Sequence, residues 1–150
     1  MRLTTCVAAM TLGTAIVASA QTQPAAPAAC SLLTREDAAA ALGEAVKGPE
    51  ARNLAGGPSS CEYTGSGLNK VHLNVIPLTA ATAAVYKAMC AQKGKEGLTG
   101  LGDVTCWYND KHEELQVLKG LTFFSIEFRK SGDPTEAIKA VARKAYERLK

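Results

Sequence analysis

Residues 113–129 read Glu-Glu-Leu-Gln-Val-Leu-Lys-Gly-Leu-Thr-Phe-Phe-Ser-Ile-Glu-Phe-Arg, and this run decides the fold class. Phe124, Ile126 and Phe128 alternate with Ser125 and Glu127, the period of two that lets a strand bury one face and wet the other. Lys119-Gly120 interrupts the run with a two-residue turn in which glycine tolerates positive φ, so 113–118 and 121–129 pair as a hairpin. Upstream, 104–109 alternates Val104, Cys106 and Tyr108 against Thr105 and Trp107. Earlier still, 60–64 and 70–76 flank the glycine-rich loop 65–69, with Val71, Leu73 and Val75 opposite His72, Asn74 and Ile76. The expectation is an antiparallel sheet of about five strands.

Helix signals surround these strands. Thr34 with Asp37 three residues on makes a capping-box variant ahead of a short helix that Gly43 ends. Thr79 caps a second helix in which Ala81, Val85, Ala88 and Met89 form the apolar stripe, ending near Gly94. Asp133-Pro134-Thr135-Glu136 places an N-cap, a proline at N1 and a glutamate at N3, followed by a stripe of Ile138, Val141, Ala142, Ala145 and Leu149 with Lys139, Arg143 and Glu147 opposite. Residues 47–60, rich in Gly, Pro, Asn and Ser, read as a long loop. The order is α-β-β-α-β-β-β-α, an α+β fold with the helices covering one sheet face. The second half repeats the theme of the first without enough identity to claim a sequence repeat.

The chain has 150 residues, 47% hydrophobic and 21% charged, the balance of one globular domain. Its start has the pattern of an export signal. Arg2 precedes an uncharged apolar stretch, and Ala18-Ser19-Ala20 is the small-x-small sequence that a signal peptidase accepts, so 1–20 is expected to be removed. The apolar stretch is too short, and too interrupted by Thr and Gly, to span a membrane, and no later segment comes closer. Residues 21–29, Gln-Thr-Gln-Pro-Ala-Ala-Pro-Ala-Ala, read as a disordered spacer, and 30–150 as one domain. Removing Arg2 leaves 16 Lys and Arg against 14 Asp and Glu, a net of about +2 with the signs interspersed. No basic block favours nucleic acid.

The five cysteines look like an odd set. Cys6 belongs to the leader, which leaves Cys30, Cys61, Cys90 and Cys106, an even set for an oxidising compartment, periplasmic or extracellular. Of the three possible connectivities, the local one, Cys30 with Cys61 and Cys90 with Cys106, is preferred because it ties each helical segment to a nearby strand. Lipidation of Cys30 is not expected, because residues 21–29 separate it from the end of the apolar run.

Catalytic motifs are missing from the sequence. His72 and His112 are its two histidines. Neither has metal-ligand spacing, since His112-Glu113-Glu114 lacks a second histidine four residues on, so no metal is expected. There is no Gly-x-Ser-x-Gly elbow, and the Gly-x-Gly within 97–102 precedes a strand and offers no helix N-terminus to a phosphate, so no cofactor is expected. Glu113 and Glu114 point to opposite faces of a strand and cannot act on one bond. If Val104, Cys106 and Tyr108 face the helices, then Trp107 and Thr105 lie on the open side of the sheet, where His72 and Asn74 also fall. Such a surface suits a partner, since aromatic residues dominate binding hot spots. The reading is an exported, non-catalytic binding module of the cell envelope whose partner is an envelope or extracellular protein. The competing reading is a small secreted enzyme with a site at His72 and a carboxylate, Asp103 or a glutamate. A pocket joining His72 to a carboxylate would favour the enzyme, and a flat or concave apolar patch the binding module.

The run Cys30-Ser31-Leu32-Leu33-Thr34 opening a short helix, Ser60-Cys61-Glu62-Tyr63 on the next strand, Gly100-Leu101-Gly102-Asp103 before the third, and Leu-x-Val-x-Lys-Gly at 115–120 together resemble a family of small exported bacterial proteins of unknown function, best known as actinobacterial lipoproteins. The resemblance covers nearly all of 30–150 and rests on structural motifs. It implies an α+β domain with a Cys30 to Cys61 bridge and no established catalysis. This chain departs from the family habit in lacking a proper lipid-attachment site.

Overall fold

A computed structural model describes residues 27–92 and 97–149. The expected leader, 1–20, and residues 21–26 of the expected spacer lie outside the described residues. The elements in chain order are α1 (Ala29–Leu32), α2 (Arg35–Leu42), β1 (Lys47–Asn53), β2 (Ser59–Thr64), β3 (Lys70–Pro77), α3 (Ala80–Gln92), β4 (Val104–Trp107), β5 (Glu114–Lys119), β6 (Thr122–Arg129) and α4 (Thr135–Arg148). One antiparallel sheet takes the order β1-β2-β3-β6-β5-β4, two three-stranded meanders joined through β3 and β6. The α+β class holds, with six strands and four helices where about five strands and three helices are expected.

The local signals explain most of the elements. Thr34 and Asp37 cap α2 reciprocally, each side chain accepting from the other's backbone N–H, and Gly43 ends the helix in the left-handed conformation. Asp133 accepts from the N–H of Thr135, so α4 begins one residue later than the proline signal suggests. Its stripe of Ile138, Val141, Ala142, Ala145 and Leu149 is buried throughout.

Three elements differ from the sequence reading. Residues 27–29, read as the end of a disordered spacer, pack on the domain: Ala29 is fully buried at the start of α1, its N–H donates to Ser59 Oγ, and Ser59 in turn donates to the carbonyl of Pro27. The segment read as a long loop contains β1. That strand has no buried alternation because it is an edge strand, paired on one side only and bulged between Lys47 and Glu50. Glycine is required there: Gly48 has φ +109°, and a Cβ would lie 2.8 Å from the carbonyl oxygen of Glu62.

The third difference is α3, which lies on the opposite face from the other helices. Leu73, Leu115, Phe124, Ile126 and Phe128 build the main core together with residues of α1, α2 and α4 such as Leu32, Leu42 and Ile138. A second cluster on the other face unites Leu118 and Phe123 with Ala83 of α3, and Ile76, Tyr86 and Val104 pack around it. The stripe expected on α3 is turned out, with Val85 57% and Met89 44% exposed. An alanine-rich helix is apolar nearly all round, so its own periodicity does not choose a face. The choice falls to the Tyr86–Phe123 ring stack, at 4.4 Å between centroids, and to the Cys90–Cys106 disulfide. The second disulfide joins Cys30 to Cys61, so both local pairings are present.

Register arranges the outer sheet face in stripes that cross the strands. Ile76, Phe123 and Leu118 align with Val104 as an apolar stripe. Next comes a hydroxyl and amide stripe of Ser60, Asn74, Ser125 and Gln116, which Cys106 closes on β4. Then Glu50, Glu62, His72, Glu127 and Glu114 align. Thr64, Lys70 and Arg129 follow. The apolar stripe is the one α3 covers, because only there does burial remove apolar area from water.

Candidate functional site

The uncovered part of the outer face, on β1, β2, β3 and β6, forms a depression of about 430 Å³ whose walls include Glu50, Arg52, Glu62, Lys70, His72 and Asn74. Period-two alternation turns these side chains outward while Cys61, Val71 and Leu73 point into the core. Glu62 and Glu127 stand directly opposite His72 on the two neighbouring strands. Each is already matched to a cation: Lys70 Nζ donates to Glu62 at 2.7 Å, and Arg129 Nε to Glu127 at 3.1 Å. The hydrogen bond from Lys70 holds the Glu62 carboxyl below its ordinary range, against the opposing effect of burial.

Burial pushes the His72 imidazole below its ordinary value. Glu62 and Glu127 pull the other way, while Lys70 and Arg52 reinforce the lowering. The ring is therefore neutral at neutral pH, one nitrogen donating and the other accepting. It forms no side-chain hydrogen bond to either glutamate, so the geometry brings a base and carboxylates together without coupling them. Among the described residues no group of three or more His, Cys, Asp and Glu is placed to hold a metal ion.

The four candidate residues divide between the two faces. His72 and Asn74 lie in the depression. Trp107 and Thr105 do not: Trp107 pairs with Leu115, Thr105 with Val117, and both share the face of the main core. Of Val104, Cys106 and Tyr108, expected to face the helices, the first two meet α3 on the outer side and Tyr108 is half exposed, while Thr105 and Trp107 turn inward against the other three helices. Trp107 is 3% exposed, and its ring stacks on His112 at 4.5 Å between centroids. The Thr105 hydroxyl is spent on the Leu101 carbonyl at 2.5 Å. Trp107 emission should therefore be that of a buried indole and resist iodide; an exposed, quenchable indole would contradict this packing.

Asp103 is not a partner of His72 either. It binds Lys87 at 3.2 Å and accepts from the Gly120 N–H beside the β5–β6 turn. The residues that sequence reasoning passed over are Glu62, Glu127, Ser60 and Ser125, because cross-strand register, and not spacing along the chain, brings them to His72 and Asn74. The depression is polar, which departs from the apolar patch expected of a binding face. A comparison of the chain with protein-family models, with curated proteins and with solved structures finds no match.

Proposed function

We propose that this chain is a non-catalytic binding module of the cell envelope, periplasmic or secreted, which takes its partner at the depression around His72 and Asn74. The observation that carries the reading is a polar depression left uncovered on the outer sheet face, beside the apolar stripe that α3 caps. Two disulfides support an oxidising compartment, and among the described residues no helix is long and apolar enough to cross a membrane. The leader pattern at 1–20 and the resemblance to small exported bacterial proteins point the same way.

The placement of His72 between Glu62 and Glu127 favours a second reading, a small secreted enzyme with a site there. Catalysis by general base or nucleophile requires a base within hydrogen-bond reach of the group it activates. Both carboxylates are matched to cations and the imidazole has no such contact, so binding is preferred. Capture from an envelope fraction with wild type and with His72→Ala/Asn74→Ala side by side tests the site. The double variant is expected to lose the components that wild type retains, with unfolding midpoints unchanged. Recovery of the same components by both proteins overturns the site, and turnover of an envelope substrate abolished by His72→Ala would replace binding with catalysis.

A further inference from the structure

We propose that the depression around His72 and Asn74 binds an uncharged, hydroxyl-rich saccharide. The inference rests on the binding reading above and names its ligand class. Ser60, Asn74 and Ser125 are cross-strand neighbours in one stripe, and His72 stands beside them in the next. None of these four side chains makes a hydrogen bond among the described residues. Ser125 is only 5% exposed, and the strand alternation aims its hydroxyl at the outer face between Asn74 and Gln116. Among the described residues no buried side-chain nitrogen or oxygen lacks a partner, so these four groups face water and their donors and acceptors are open to a ligand.

Charge narrows the class. The two glutamates nearest His72 are neutralised by Lys70 and Arg129, and the imidazole is neutral, so the centre of the depression attracts neither a phosphate nor a polycation. The unused groups are hydroxyls, an amide and an imidazole, each able both to donate and to accept, as sugar hydroxyls do. The glutamates keep free lone pairs for further hydroxyl donors. A protein partner fits less well. Protein interfaces centre on apolar and aromatic anchors, and Trp107 is sealed in the core on the opposite face. An extended peptide needs a free strand edge, which β1 presents bulged and interrupted by Pro49.

Titration of the isotopically labelled protein with cellotetraose, maltotetraose and chitotetraose, followed by amide NMR, tests the inference. At least one of these neutral probes should shift the amides of Ser60, His72, Asn74 and Ser125 saturably, with little dependence on salt. Asn74→Ala should weaken that binding about tenfold through the lost hydrogen bonds, with an unchanged unfolding midpoint. If polygalacturonate or an envelope protein fraction shifts these amides and no neutral probe does, the uncharged saccharide is overturned while the binding face stands. If no titrant shifts them, both fall.

Discussion

Replacing Asp37 by alanine should lower the stability of this domain by about 3 kcal/mol, the range expected when one partner of a buried ion cluster is removed. Asp37 is 5% exposed. Its carboxylate accepts from the Thr34 N–H at 3.2 Å, from the Thr34 hydroxyl at 2.9 Å and from Lys144 at 2.9 Å, and it also pairs with Arg148. One side chain thus caps α2 and clamps it to α4. Arg148 continues the clamp to α1 by donating to the Leu32 carbonyl at 2.8 Å. The alanine variant loses the cap and leaves Arg148 without its counter-ion. Lys144 is half exposed and recovers water, which keeps the expected loss below the top of the range.

The same residue sets an acid limb. Burial pushes its carboxyl up, but the hydrogen bonds from Arg148, Lys144 and Thr34 outweigh burial and hold it well below its ordinary 3.8. A carboxyl depressed in the folded state contributes stability that is fully present above its unfolded value and is lost as pH falls through its folded one. Wild type should therefore lose stability as pH drops below 3.8, and Asp37→Asn should lose less over the same window. Urea unfolding midpoints across that window check both statements. Equal acid sensitivity of wild type and Asp37→Asn would remove the clamp from the account of stability.

The second large effect is expected from the disulfides. Cys30 and Cys61 are 31 residues apart, and closing that loop restricts the unfolded chain by about 4 kcal/mol in the entropy account. Cys90 and Cys106, 16 apart, contribute about 3 kcal/mol. Both are large fractions of the roughly 5–15 kcal/mol that stabilises a domain of this kind. Their removal should differ in kind. Cys61 is fully buried in the main core and its bridge holds α1, so Cys30→Ala/Cys61→Ala should lower the midpoint of the whole domain. The other bridge holds α3 over the smaller cluster, so Cys90→Ala/Cys106→Ala should raise amide exchange in α3 while β3 and β6 stay protected. Uniform loss of protection in the second variant would show that α3 is not a separable layer.

These expectations depend on features that are legible in the sequence to different degrees. The β5–β6 hairpin, the capping box at Thr34 and Asp37, and the buried stripe of α4 follow from residue order, because each is set by neighbours within a few positions. β1 does not, since an exposed edge strand has no buried face to impose alternation on Glu50, Ala51 and Arg52. The inward face of α3 does not either, since alanine on every side makes Ala81 and Ala83 equally suitable for burial. The candidate site was half legible. His72 and Asn74 stand out as polar positions on an otherwise apolar strand, whereas Ser125 and Glu127 join them only through the pairing of β3 with β6.

Trp107 shows where sequence reasoning stops. Alternation divides Val104, Thr105, Cys106 and Trp107 into two faces but does not say which face each helix covers, and a single misplaced layer moves the indole from an open surface into the core. Sequence alone determined the α+β class, the preference for local disulfide pairing and the caps that open α2 and α3, all consequences of short-range geometry and the period of burial. Tertiary structure alone decided which sheet face α3 covers and which polar side chains meet beside His72. Both are long-range: helix docking follows the apolar stripe that cross-strand register assembles, and no residue carries that register in its own neighbourhood.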